Sequence, residues 1–155
     1  MTPILINLLL IGSIITAPRQ TGCYDFVKSI VKKESVVQAV LVSSELNNIS
    51  PALLLGYLAC ENSRFENLPL NSSGDVGLFQ ININYHPYSV ETLMDVRKNA
   101  IIAGQIIREN LSTRPDIFGL GQYHSSTPKR NVRYRERLLR RTRKILKLSR
   151  DFQCE

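Results

Sequence analysis

The sequence predicts a mainly α fold in a single helical domain. Two long stretches, Val90–Leu111 and Asn131–Arg150, repeat apolar residues at helical spacing. A third apolar run ending at Glu61 opens on Ser50-Pro51, a helix start in which Ser caps and Pro takes the first turn. With 155 residues, 43% of them hydrophobic, and no internal repeat, the chain suffices for one sizeable core.

The N-terminus reads differently from the rest. Ile4 to Ile15 is almost wholly apolar and leads into Thr16-Ala17-Pro18. This run is shorter than the roughly 20 residues that a membrane-spanning helix needs. It fits a secretory signal peptide over residues 1–22, leaving a domain over 23–155 with no membrane span after processing. No Lys or Arg precedes the run, and Pro18 disfavours cleavage after Ala17, so Gly22 is the better cleavage point. Thr21-Gly22-Cys23 is similar to a lipoprotein site, but Gln20 stands where an aliphatic residue is expected.

Export implies an oxidising compartment, and the cysteines are Cys23, Cys60 and Cys154. Domain termini are often close in space, so a Cys23–Cys154 disulfide is the first expectation. Cys60 is then a free thiol beside Glu61, packed as a small apolar residue. Neither His86 nor His124 is spaced to pair with it, and no Cys/His set has zinc spacing.

Ser35 to Leu46 reads as a mostly buried helix ended by Asn47-Asn48. The next helix places Leu54, Tyr57 and Leu58 on the face of Glu61. A carboxyl on an apolar face has a raised pKa, because desolvation disfavours its charged form. Asn71-Ser72-Ser73-Gly74-Asp75 is turn chemistry, and Tyr85 to Ser89 is a loop around Pro87. One long helix is expected from Val90 to Leu111, buried through Val96, Ala100, Ala103, Ile107 and Leu111 and stopped by Ser112-Thr113-Arg114-Pro115. A short helix, Asp116 to Ser125, carries Tyr123, and Pro128 precedes the last helix.

That last helix holds most of the formal net charge of +7. Its apolar stripe is expected at Leu138, Leu139, Ile145 and Leu146, which turns Arg140, Arg141 and Lys144 outward. A cationic face of this kind is either a solvated surface or an attraction for a polyanion. Nucleic acid is disfavoured as a partner, since no recognised DNA- or RNA-binding motif occurs.

Four ordered motifs bear on function: Glu61 at a helix end, Gly74-Asp75-Val76-Gly77-Leu78-Phe79-Gln80-Ile81, Tyr123-His124-Ser125-Ser126, and Asn131-Val132-Arg133-Tyr134. Together they resemble the soluble lytic transglycosylases, in particular small members attached to secretion and conjugation machines. The resemblance covers roughly residues 36–139. It implies a lysozyme-like (α+β) fold whose small non-helical lobe is formed by the Asn71–Asp75 turn segment. It also implies cleavage of the β-1,4 bond between N-acetylmuramic acid and N-acetylglucosamine. There the Glu protonates the bridging oxygen and then, as carboxylate, takes the proton of the sugar's C6 hydroxyl, closing a 1,6-anhydro ring. One group can do both when its pKa lies near the working pH.

By the resemblance, Glu61 is catalytic, Gln80 lines the glycan cleft, and Tyr123 meets the carboxyl. Asn71 stands where many members have a Ser that positions the reacting N-acetyl group, and Tyr134 and His124 are supporting residues. Asn62 replaces a usual Ser after the Glu, His124 replaces a common Asn, and one residue is inserted before Phe65. Asp75, the one further carboxylate of the segment, reads as a turn residue. The implied setting is periplasmic and the implied partner peptidoglycan, with components of an envelope-spanning secretion or conjugation apparatus as further partners; no cofactor or metal is expected. The competing expectations are a lysozyme-type hydrolase and a non-enzymatic basic module that binds polyanions.

Overall fold

A computed structural model describes residues 18–154, with side chains from residue 22. The apolar run Ile4–Ile15, and with it most of the expected signal peptide, lies outside the described residues. Seven helices and one two-stranded hairpin make up the described part: α1 Pro18–Ile30, α2 Glu34–Asn47, α3 Pro51–Glu61, β1 Asp75–Val76, β2 Ile81–Asn82, α4 Val90–Met94, α5 Val96–Thr113, α6 Ile117–Gln122 and α7 Pro128–Asp151. The architecture is mainly α, as the apolar periodicity predicts.

Helix α1 was not anticipated from the sequence, and it crosses the expected boundary at Gly22. It buries Phe26 and Val27 in the core, and Val31, just past its end, is buried with them. Cys23 is bonded to Cys154, so the two ends of the described chain are fastened together, and Cys60 is free. Helix α2 ends where Asn48 adopts a left-handed φ of 51°, a conformation Asn tolerates well. Ser50 accepts from Leu53 N and caps α3, with Pro51 in the first turn.

The single helix expected over Val90–Leu111 is two. Asp95 interrupts it because its side chain accepts from Lys98 N at 2.8 Å, capping α5 and leaving α4 as one short turn. Of the predicted buried face of α5, Ala100, Ala103 and Ile107 are buried, and Val96 and Leu111 are half-buried against the core. Pro128 begins α7 rather than preceding it, which suits a residue whose missing N–H falls in the first turn.

Helix α7 also turns differently from expectation. Its buried row is Asn131, Tyr134, Leu138, Thr142, Ile145 and Ser149. Leu146 is exposed, and Arg141 is half-buried, its guanidinium donating to the Ala59 carbonyl at the end of α3. The cause lies in the α3–α7 contact. Gly56 meets the Thr142 side chain so closely that a Cβ at Gly56 would collide with it. The close approach fixes Thr142 inward and carries Leu146 out.

Candidate active site

The contact between α3 and α7 sets the position of Glu61, the last residue of α3. Tyr57, one turn earlier, is buried and donates from its hydroxyl to the Leu120 carbonyl at 2.9 Å. Its ring lies 5.3 Å from that of Tyr123 and 6.3 Å from that of Tyr134. His124 stacks on Tyr134 at 4.9 Å with the planes 5° apart, and the Arg137 guanidinium lies 5.2 Å from the same Tyr134 ring. An aromatic wall therefore stands beside the carboxyl.

The hairpin supplies the other side. β1 and β2 pair antiparallel, Asp75 with Asn82 and Val76 with Ile81. Gly77 has a φ of +81°, and a Cβ there would collide with Asn99 and the Leu93 carbonyl, so no other residue fits without distortion. Asn99, fully buried on α5, holds this turn. It accepts from Phe79 N at 2.8 Å and donates to the carbonyls of Val76 at 3.1 Å and Leu93 at 2.9 Å. Asn62 holds the hairpin from the α3 side, donating to the carbonyls of Glu66 and Leu78. Gln80 sits at a φ of +51°, uncommon for a residue with a Cβ, and its amide donates to the Gly77 carbonyl at 2.7 Å.

Electrostatics single out Glu61. Burial pushes its pKa from 4.5 up to about 7, against the opposing pull of the Tyr134 hydroxyl and the Arg137 charge, while the Asp75 charge adds to the rise. Burial, with the Glu61 charge behind it, also raises Tyr123 and Tyr134. Burial lowers His124, with Arg137 and Arg130 acting in the same direction, and burial raises the Cys60 thiol. Tyr134 is near enough to act on Glu61, yet Glu61 Oε1, Tyr134 Oη and Arg137 Nε are each buried without a hydrogen-bond partner. A carboxyl poised near neutrality both gives and takes a proton.

The structure brings Glu61, Tyr123, Tyr134 and His124 into one neighbourhood, with Arg137 added. The Tyr123 hydroxyl does not donate to the carboxyl; it donates to the Phe79 carbonyl at 2.9 Å and braces the hairpin. Tyr134, expected as a support, is the tyrosine whose hydroxyl acts on Glu61. Asn71 is occupied within its own turn. Its Oδ1 accepts from Ser73 N and Asp75 N, and its amide donates to Asp75 Oδ2 at 3.2 Å. Asp75 also accepts from the Asn82 amide at 2.8 Å, as a turn residue should.

Sequence reasoning missed the clasp by Asn99 and the part of Arg137. Asn99 had a visible signal, as the polar residue between Val96 and Ala103 on an apolar face. Arg137 had none, being one of many arginines. Two concavities of about 490 and 450 Å³, one at Lys33, Arg64 and Phe65 and the other at Gln38, Val42 and Arg97, do not include Glu61. Among the described residues, no group of three or more His, Cys, Asp or Glu side chains is placed to hold a metal ion. Comparison with protein-family models, curated proteins and solved structures finds no match for this chain.

Proposed function

We propose that the protein is a peptidoglycan lytic transglycosylase of the lysozyme-like fold, acting in the periplasm to open the cell wall locally, in the service of a secretion, conjugation or pilus machine. The observation that carries the reading is Glu61: a carboxyl at a helix end, held near a pKa of 7 between an aromatic wall and a Gly-containing hairpin. In its protonated form Glu61 gives its proton to the oxygen between N-acetylmuramic acid and N-acetylglucosamine. The carboxylate left behind takes the proton of the C6 hydroxyl as that oxygen closes on C1, so no water is consumed. Tyr134 and Arg137 favour the ionised form that exists between the two transfers. Asn99 and Tyr123 keep the hairpin in place while the glycan is bound.

The test is a digest of purified sacculi by the wild type and by Glu61→Gln, read by mass spectrometry. The wild type should release 1,6-anhydro-muropeptides and the variant none. Undiminished product from Glu61→Gln would remove the assignment. One observation favours a hydrolase instead: Asp75 lies close enough for its charge to act on Glu61, and two carboxylates serve most glycoside hydrolases. Reducing ends in place of anhydro ends would decide for that reading.

A further inference from the structure

Helix α7 divides the charge of the molecule. Of the 20 Lys and Arg in the chain, eleven lie in α7, together with only two of the 13 Asp and Glu. The remainder of the chain is therefore slightly acidic. Such a molecule presents one face to an anionic surface and turns the rest away. The outward ridge runs along the helix as Lys129, Arg133, Arg140, Arg143, Lys147 and Arg150, all exposed, and none forms an ion pair among the described residues. At 1.5 Å per residue the 24-residue helix is about 36 Å long.

Beside this ridge lies an apolar row. Val132, Leu139 and Leu146 are seven residues apart, a spacing that drifts only about 20° per repeat and so keeps them in line. Val132 is 36% and Leu146 42% exposed, with Leu139 half-buried between them. Arg143 stands between Leu139 and Leu146, one helical turn from each, and Arg150 lies one turn beyond Leu146.

We infer that this face of α7 docks on an anionic lipid bilayer, with the arginines at the headgroups and Val132, Leu139 and Leu146 at the boundary with the acyl chains. Charge and apolarity together choose the occupant. A second copy would bring two cationic ridges together. Peptidoglycan offers carboxylates but no apolar phase for the row to enter. An anionic bilayer offers both, over the full length of the helix. Among the described residues no helix is long and apolar enough to cross a membrane, so this is attachment in the plane of the surface. A wall-cutting enzyme attached in this way would work from the membrane side of the polymer.

The experiment is vesicle flotation of the full chain. Vesicles of phosphatidylcholine alone report any contribution of residues 1–17, and vesicles containing phosphatidylglycerol add the anionic surface. The wild type should float more with the anionic vesicles, and salt should reduce the excess. Neutralising Arg143, Lys147 and Arg150 to Gln should cut the excess about fivefold per residue, about a hundredfold for all three. Val132→Ser with Leu146→Ser should cut it about tenfold and leave the charge-driven part. Circular dichroism checks that the variants are folded.

Equal flotation with the two lipids, or no effect of the triple Gln variant, overturns the inference. Losses from the charge variant alone, with the Ser variants unchanged, overturn the placing of Val132, Leu139 and Leu146 at the acyl boundary and leave a purely electrostatic contact. Binding to sacculi without binding to vesicles overturns it in favour of the wall. Glu61→Gln should float as the wild type does. If wild-type digestion of sacculi fails while flotation stands, the enzymatic reading falls and this one remains.

Discussion

Glu61 should cost the folded protein stability in a pH window that its own pKa defines. In the unfolded chain the carboxyl titrates near 4.5, and in the fold burial moves this to about 7. Below pH 4.5 both states carry the proton and the group is silent. Between 4.5 and 7 the folded state keeps a proton that the unfolded state has released, so stability falls as pH rises. Above 7 the full cost applies. A rise from 4.5 to about 7 corresponds to about 3 kcal/mol. Glu61 is only half-buried, and solvent screening brings the expectation down to about 2 kcal/mol. Glu61→Gln removes the titration and keeps the shape. Urea unfolding of the two proteins at pH 4 and pH 8 measures it, because any constant offset from the amide cancels between the two pH values. Relative to the wild type, the variant should gain about 2 kcal/mol between pH 4 and pH 8. A pH-independent difference would refute a buried carboxyl at this position, and with it the acid that the proposed reaction needs. Wild-type cleavage should fall as pH rises through about 7, since a deprotonated Glu61 cannot start the reaction.

Two further predictions concern the frame around the site. Asn99→Ala leaves Phe79 N and the carbonyls of Val76 and Leu93 without partners, and should cost about 3 kcal/mol in urea unfolding. Cleavage by that variant should fall even at temperatures where it remains folded. Thiol labelling of denatured, unreduced protein should modify Cys60 alone, and reduction should lower stability by about 4 kcal/mol for a bridge that closes 131 residues of sequence. Labelling of all three cysteines without reductant would dismiss the bridge.

What was legible in the sequence was mostly local. The Ser50-Pro51 start and the Asn48 end are written in residues that act on their own neighbours, and both are observed. The carboxyl on an apolar face followed from helical spacing alone, and burial does raise its pKa. The split at Asp95 was missed because the apolar period continues through it, while the cap that breaks the helix is a single side chain. The rotation of α7 was missed for the opposite reason. Thr142 and Ser149 are polar in sequence but inward in the fold, Thr142 packed directly on Gly56 of α3. Helix α1 begins inside the stretch that reads as a leader, although Phe26, Val27 and Val31 lie at helical spacing. Among the site residues, which tyrosine addresses the carboxyl was beyond the sequence, because a hydroxyl's partner is set by three elements meeting: α3, the hairpin and α7.

Tyr123 and Tyr134 differ in what their hydroxyls meet, and their phenylalanine variants should behave in opposite ways. The Tyr123 hydroxyl has a definite partner, the Phe79 carbonyl at 2.9 Å, and it is not among the groups that set the Glu61 pKa. Tyr123→Phe therefore removes a buried hydrogen bond and should cost about 1 kcal/mol, leaving Glu61 titrating near 7. The Tyr134 hydroxyl acts on Glu61 but makes no hydrogen bond of good geometry, so its removal takes away a polar atom that the fold satisfies only weakly. Tyr134→Phe should be neutral in stability or gain up to about 1 kcal/mol. Measured at pH 5, where Glu61 holds its proton, this comparison is free of the carboxylate. The Tyr134 hydroxyl does, however, hold the Glu61 pKa down, so its loss should raise that pKa above about 7 and move the pH limb of cleavage upward. NMR titration of the Glu61 side-chain carbon, compared with unfolding midpoints, reads both effects. If Tyr123→Phe shifts the titration and Tyr134→Phe does not, then Tyr123 is the residue at the carboxyl and the hydrogen bond to Phe79 is not what holds it.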